Sequence, residues 1–271
     1  MRKNRMTSIH RDNSIEKSLQ NCLDKENSVW AVGDIHGCNE TFNLLIESMK
    51  LKQNDKIICM GDLVDRGPNS HEVLKTVFNN KNIYSLKGNH EQIMDEALTG
   101  DNKNITDFWI HKIGGLQTLE SMPGSKTEKL QRAKKWLKFT RTFPSEIVLK
   151  KFRLVHAGFR EDIPINRNTE RDRLRSRRIF LSDTPLDSKR QIIVGHTPVQ
   201  LLNDYGLDPP NQGIWKSQIL LSDGRHAIKM IDTGVILAGR NKNPKLTAIN
   251  LLSGKIIQIS RIEQYKEDVK I

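Results

Sequence analysis

The sequence predicts an α/β fold, with α+β character in its second half, in which a central pair of packed, mixed β-sheets is flanked by helices. Two patterns carry this expectation: three strand-loop-helix units follow one another over the first hundred residues, and strand-like apolar runs dominate after Pro144. Consecutive units of the first kind imply parallel strands joined by right-handed crossovers. At 271 residues the chain has room for one large domain with a substantial core. We expect that domain to occupy residues 28–271, behind a polar extension at 1–27 that lacks strong periodicity and is flexible or loosely docked.

Val29 to Val32 read as a short buried strand running into Gly33. Asn39 is placed to cap a helix whose Phe42, Leu44, Leu45 and Met49 make one apolar face. Ile57 to Met60 form the next strand, followed by a helix around His71 to Phe78 with Val73, Leu74 and Val77 inward. In the third unit, Ile83 to Leu86 lead through Gly88 into a helix near Gln92 to Leu98. The middle of the chain is helical and basic. The helix containing Trp109 reads as a structural lid; further on, Ser125 and Glu128 have the spacing of a capping box, ahead of an inward stripe of Leu130, Ala133, Trp136 and Leu137. Residues 147–149, 152–155, 191–194, 228–231, 246–251 and 256–259 then read as strands.

Hydrophobic content of 36% with 28% charged residues is ordinary for a soluble globular protein. No apolar stretch approaches the roughly 20 residues that cross a bilayer, and the first 27 residues lack the apolar centre of a secretory signal, so a cytoplasmic location is expected. Cys22, Cys38 and Cys59 cannot all pair with one another, and their spacing fits neither a zinc ribbon nor a disulfide framework, which points to a reducing compartment. The net charge of +12 is concentrated in two stretches: 126–153 carries ten Lys or Arg against two Glu, and 167–190 carries eight against four acids. Two readings stand open, a solvated helix face with a basic loop or an electrostatic collar for an anionic substrate. Nucleic acid is not expected as the partner, because the cations are not interleaved with stacking aromatics.

Five motifs recur in one order: Gly33-Asp34-Ile35-His36-Gly37, Gly61-Asp62-Leu63-Val64-Asp65-Arg66-Gly67, Gly88-Asn89-His90-Glu91, Val155-His156-Ala157-Gly158 and Gly195-His196-Thr197. Each sets a hard oxygen or imidazole donor beside glycines that let the backbone turn sharply, and most follow a strand-like run. Donors at strand ends in this number suit a two-metal hydrolytic site. His10, His71, His111 and His226 lie outside the motifs and read as surface or hydrogen-bonded core histidines.

In these motifs the chain resembles the phosphoprotein phosphatase family, the calcineurin-like metallophosphoesterases typified by serine/threonine protein phosphatases and their bacterial and phage relatives. The likeness runs from about Val29 to His196, with a weaker extension to Ile231-Asp232-Thr233-Gly234. The resemblance implies two divalent metal ions, manganese first, with iron or zinc also suited to mixed oxygen and imidazole donors. Asp34 and His36 would bind one ion, Asp62 would bridge both, and Asn89, His156 and His196 would bind the second. A shared carboxylate offsets the repulsion between two close cations, and water held between them becomes a hydroxide nucleophile near neutral pH.

The resemblance also implies that Arg66 presents its planar fork to two phosphate oxygens, that His90 protonates the departing oxygen, and that Asp65 orients His90. Bacterial relatives often show Leu-Leu-Trp-x-Arg after the fourth motif, which puts Arg177 in the second phosphate-gripping position. Here Arg175 replaces the aromatic residue, and Arg178 is a competitor. Ile113-Gly114-Gly115 likewise stands where Asn-Gly-Gly is common. The implied activity is phosphomonoester hydrolysis on a phosphorylated protein or peptide, with an anionic small-molecule phosphoester as another possible partner. The rival is a symmetrical bis(5'-nucleosyl)-tetraphosphatase on the same fold, whose usual Val-Ala-Arg-Gly and Gly-Asn-His-Asp differ from Val64-Asp65-Arg66-Gly67 and Gly88-Asn89-His90-Glu91.

Overall fold

The computed structural model describes residues 10–237 and 243–264. Two five-stranded mixed sheets pack face to face. The first is ordered β10-β9-β1-β2-β3, from β1 (Val29–Val32), β2 (Lys56–Cys59), β3 (Ile83–Ser85), β9 (Lys245–Asn250) and β10 (Ile256–Ser260). The second is ordered β4-β5-β6-β8-β7, from β4 (Glu146–Val148), β5 (Phe152–Val155), β6 (Gln191–Val194), β7 (Trp215–Lys216) and β8 (Ile228–Met230). At the centre of each sheet the pairing is parallel, β1 with β2 and β2 with β3, then β5 with β6 and β6 with β8. β9, β10, β4 and β7 add antiparallel partners.

The central strands are apolar on both faces because each sheet is covered on both. Val29 and Ala31 of β1 join Ile58, Ile147, Leu154, Ile193 and Ile249 in the core between the sheets. The alternate residues Trp30, Val32, Ile57 and Cys59 face helices α2 (Asn39–Met49), α3 (Ser70–Asn79) and α4 (Asn89–Thr99) through Phe42, Leu45, Val73, Leu74 and Met94. Val155, Ile192, Val194, Ile228 and Met230 form the outer core of the second sheet with Phe159 and Ile179.

Several expectations are corrected. Instead of a loosely docked segment, Asn13–Asp24 form helix α1, capped by Asp12, which accepts from the Ser14 and Ile15 amides. Leu19 and Cys22 of α1 enter the core between the sheets, and the Glu16 carboxylate accepts from the Val148 amide of β4. The apolar spacing that docks α1 is diluted by polar neighbours, which hides it from a composition reading. Residues 1–9 lie outside the described residues. Asn39 is the first residue of α2 and caps nothing; Cys38 precedes it, and Leu44 points outward while Phe42, Leu45 and Met49 are buried. In helix α7 (Lys126–Thr140) the capping box of Ser125 and Glu128 is present, but of the predicted stripe Leu130 is exposed. β7 was not anticipated from so short a run.

The six parallel strands end side by side, and each delivers a residue to one place: Asp34 after β1, Asp62 after β2, Asn89 after β3, His156 after β5, His196 after β6 and Asp232 after β8. Hydrogen bonds align these ends: within the second sheet the Gly195 amide donates to the His156 carbonyl at 2.8 Å, and across the sheets the Met60 carbonyl lies 2.8 Å from the His156 ring.

Candidate metal centre

Asp62 is the focus of the site. Its Oδ2 lies 3.4 Å from His156 Nε2, 3.7 Å from His36 Nε2 and 3.9 Å from His90 Nε2. Two groups of convergent donor atoms share it: His36, Asp62 and His90, and Asp62, His156 and His196. Asn89 Oδ1 joins the second group, 3.0 Å from His156 Nε2. Asp34 belongs to neither trio; both its oxygens accept the His196 amide, at 3.0 and 2.9 Å.

Backbone carbonyls decide which imidazole nitrogen is offered. His36 Nδ1 lies 3.0 Å from the Val64 carbonyl and His156 Nδ1 2.8 Å from that of Met60, so Nδ1 carries a proton in each ring and Nε2 is the nitrogen that faces inward. His196 Nε2 is buried with no hydrogen-bond partner. An orphaned buried ring nitrogen beside a carboxylate is costly unless a cation uses it.

The loops that carry these groups are held in unusual backbone conformations. Of the seven non-glycine residues with positive φ among those described, five are His36, Asp62, Asp65, Arg66 and His196. Each such residue costs of order 1–3 kcal/mol and persists only where its surroundings impose it. Glu91 is one such restraint, since its carboxylate accepts from the amides of Gly88, Asp62 and Leu63 and ties the second motif to the third. Close approach also dictates glycine: a Cβ on Gly88 would stand 2.1 Å from Asp62 Oδ1, and one on Gly195 would stand 2.2 Å from Asp34 Oδ1.

The local field suits cations. Burial and then Asp232 push the Asp34 carboxyl well above its usual range. Burial raises Asp232 to about 6 and Glu91 to about 7. Burial opposes charge on Asp62 as well, yet His156 and His90 hold it well below the usual carboxylate range. Burial would lower His156, but Asp62 and Asp34 outweigh it and raise the ring to about 9.

Beside this cluster, His90 Nδ1 lies 2.8 Å from Asp65 Oδ2. Asp65 also accepts from Trp109 Nε1, at 3.0 and 3.1 Å, and from Thr118 Oγ1 at 2.7 Å. Burial raises Asp65 to about 8 and lowers His90 to about 3. Near neutrality the pair therefore keeps one proton within its hydrogen bond.

A cavity of about 290 Å³ opens over these groups, lined by Asp62, Asn89, His90 and His196, with Arg66, Arg175 and Arg177 also on its wall. Arg66 Nη1 lies 3.2 Å from His36 Nε2. Arg177 Nε donates to Thr197 Oγ1 at 3.0 Å, whereas Arg178 turns outward to form a two-pronged pair with Glu161. The basic stretch at 126–153 contributes no lining residue, so only the second basic stretch reaches the pocket.

The calcineurin-like phosphoesterase profile matches residues 28–229. This chain belongs to the calcineurin-like phosphoesterase family. Its relatives divide by name. It is 35% identical over 81 residues to the serine/threonine-protein phosphatase 1 of Salmonella typhimurium, covering 28% of this chain and 36% of the relative. It is 39% identical over 85 residues to the symmetrical bis(5'-nucleosyl)-tetraphosphatase of Buchnera aphidicola, covering 30% and 31%. It is 32% identical over 148 residues to the asymmetrical bis(5'-nucleosyl)-tetraphosphatase PrpE of Anoxybacillus flavithermus, covering 48% and 57%. The aligned segments thus span well under two thirds of each relative. A crystal structure provisionally named a diadenosine tetraphosphatase shares the fold, with a TM-score of 0.53 at 20% identity, covering 86% of this chain and 93% of that one.

Calcineurin-like phosphoesterases use divalent metals, and the donors of this one fit such ions. The inward Nε2 atoms, the orphaned His196 nitrogen and the carboxylate common to both trios make the chemistry of that fit. Four groups with a part in the phosphoesterase site were not singled out by sequence reasoning: Glu91, Trp109, Thr118 and Asp232. Trp109, expected in a lid, is fully buried against Asp65. Glu91 and Asp232 were visible only as the last residue of one motif and the middle of a weak one. Of the histidines outside the motifs, His71 accepts from Trp136 Nε1 and His226 meets the Ser217 carbonyl, both away from the site. Among the described residues no helix is long and apolar enough to cross a membrane.

Proposed function

We propose that this phosphoesterase is a metal-dependent phosphomonoester hydrolase acting on phosphoserine or phosphothreonine in proteins. The observation that carries the reading is the 2.8 Å contact between His90 Nδ1 and Asp65 Oδ2, with His90 on the pocket wall. Hydrolysis of a serine or threonine phosphoester expels an alkoxide, a far stronger base than the phosphoryl group expelled from a polyphosphate. A positioned acid is correspondingly more valuable. A chain with alanine at position 65, as in the tetraphosphatase pattern, would leave His90 unsupported.

Asp34, His36 and Asp62 would hold one cation, and Asp62, Asn89, His156 and His196 the other, with manganese expected. Divalent cations there would supply Lewis-acid polarisation of the phosphoryl group and acidify water. Arg66 and Arg177 orient the phosphoryl oxygens from two sides, a task suited to planar guanidinium groups. His90 gives its proton to the departing oxygen, and Asp65 fixes the ring for that transfer. Ile93, Phe108 and Ile113 line the cavity beside the polar groups and limit water around the leaving group. The three cysteines are free and buried, which supports a reducing, cytoplasmic setting.

Replacing His90 by Asn tests the assignment. Turnover of a phosphoserine peptide should fall by about 10²- to 10⁴-fold with bound manganese unchanged, and full activity would refute it. Side-by-side turnover of the same peptide and diadenosine tetraphosphate tests the substrate. Faster cleavage of the tetraphosphate would install the symmetrical bis(5'-nucleosyl)-tetraphosphatase reading instead.

A further inference from the structure

Helix α8 (Glu170–Arg175) ends in a cation that no carboxylate meets within salt-bridge distance among the described residues. Arg173, two residues earlier, pairs with Glu146, and Arg178, three residues later, pairs with Glu161. Arg175 is half-buried and forms no ion pair among the described residues; its polar contact is a long one, 3.4 Å to Gln92 Oε1 of α4. It shares the cavity wall with Arg66 and Arg177, so three guanidinium groups crowd one pocket. Burial works most strongly against its charge, Glu96 and Asp62 offset part of that, and Arg171 and Arg177 add to it, so the balance still lies below the usual guanidinium value. A half-buried cation without a salt bridge, beside two further arginines, gains from an anion that arrives to meet it.

The three arginines do not stand at one point. Arg177 is anchored to Thr197 beyond β6, while Arg175 reaches across to α4, on the side of Ile93 and Phe108. Arg66 and Arg177 suffice for one phosphoryl group, which leaves Arg175 facing a different part of the substrate. We propose that Arg175 is a specificity-determining residue that grips a second anionic group carried next to the scissile phosphoryl. The proposal rests on the phosphoester-hydrolase reading of the site. The second anion can come from an acidic residue flanking the phosphoserine or from the next phosphoryl of a polyphosphate, and the test separates the two.

The manganese-loaded protein and its Arg175→Met and Arg175→Lys variants are assayed on two phosphoserine peptides that differ only in a Glu or Gln after the phosphoserine. Diadenosine tetraphosphate and 4-nitrophenyl phosphate form a second pair. The readout is the ratio of kcat/KM within each pair, which a general loss of activity does not move. The wild type should favour the Glu peptide by about 5- to 10-fold. Arg175→Met should bring that ratio to about 1, and Arg175→Lys should restore part of it. If the ratio collapses only in the second pair, Arg175 keeps its role and the anion is a polyphosphate. If Arg175→Met leaves both ratios unchanged, or the wild type shows no preference in either pair, the proposal is overturned. Failure of the hydrolase reading shows separately, as wild type that turns over none of the four. Calorimetric titration with the same two pairs then decides the proposal, since the affinity ratio of at least one pair must collapse in Arg175→Met.

Discussion

Trp109 offers the sharpest test of how the site is held. Its ring is fully buried in a π-helical turn, Trp109–Ile113, and Nε1 donates to both oxygens of Asp65, the carboxyl that meets His90. Trp109→Phe keeps an aromatic ring in the core and removes one N–H from a buried acid. With Asp65 raised to about 8, the bond is one to a neutral acid near neutrality, worth about 0.5–1.5 kcal/mol. If that loss appears wholly as misplacement of His90, kcat falls by about 2- to 13-fold. The assay is steady-state turnover of a phosphoserine peptide, with manganese content measured on the same samples. KM and metal content should stay near wild type. Because Trp109 acts through Asp65, the double variant Trp109→Phe/Asp65→Asn should be no slower than Asp65→Asn alone. Losses that multiply in the double variant, or a wild-type kcat in Trp109→Phe, would refute the positioning argument.

Three further outcomes are expected. Leu19→Ala, in helix α1, should destabilise the protein by about 2–5 kcal/mol in denaturant unfolding, since Leu19 is fully buried between the sheets; an unchanged midpoint would mean that α1 is dispensable. Arg177→Ala should raise KM for phosphopeptide while Arg178→Ala, on the exposed Glu161 pair, should not, and equal effects would remove the distinction drawn between them. Burial would raise the Asp187 carboxyl, but the hydrogen bond from Arg153 holds it below the ordinary aspartate value, so it stabilises the fold above that ordinary value and the contribution is lost as pH falls through the lower folded value. The difference in urea midpoint between wild type and Asp187→Asn should accordingly shrink below about pH 4, and a constant difference would contradict it.

The residues that converge on Asp62 were legible in the sequence as motifs at strand ends, and glycines such as Gly88 and Gly195 mark where backbone and carboxylate nearly touch. The parallel units were legible because strands buried on both faces read as unbroken apolar runs. What escaped was long-range. Trp109 and Thr118 meet Asp65 from 44 and 53 positions away, and no local pattern announces a hydrogen bond to a distant acid. Helix α1 escaped because its inward residues, Leu19 and Cys22, stand in a run otherwise rich in polar side chains, with the amides Gln20 and Asn21 between them. Asn39 misled because its residue type suits a cap, while the chain begins the helix one residue earlier. The meaning of the basic stretches needed the fold, which keeps α7 off the pocket and brings Arg175 and Arg177 into it.

The account turns on Asp62 as the carboxylate shared by two donor sets. The direct measurement is manganese stoichiometry by equilibrium dialysis with elemental analysis, on wild type and on a folded Asp62→Ala variant. We predict two ions per chain in the wild type and fewer than one in Asp62→Ala. Two ions retained without the Asp62 carboxylate, or none bound by the wild type, would contradict it.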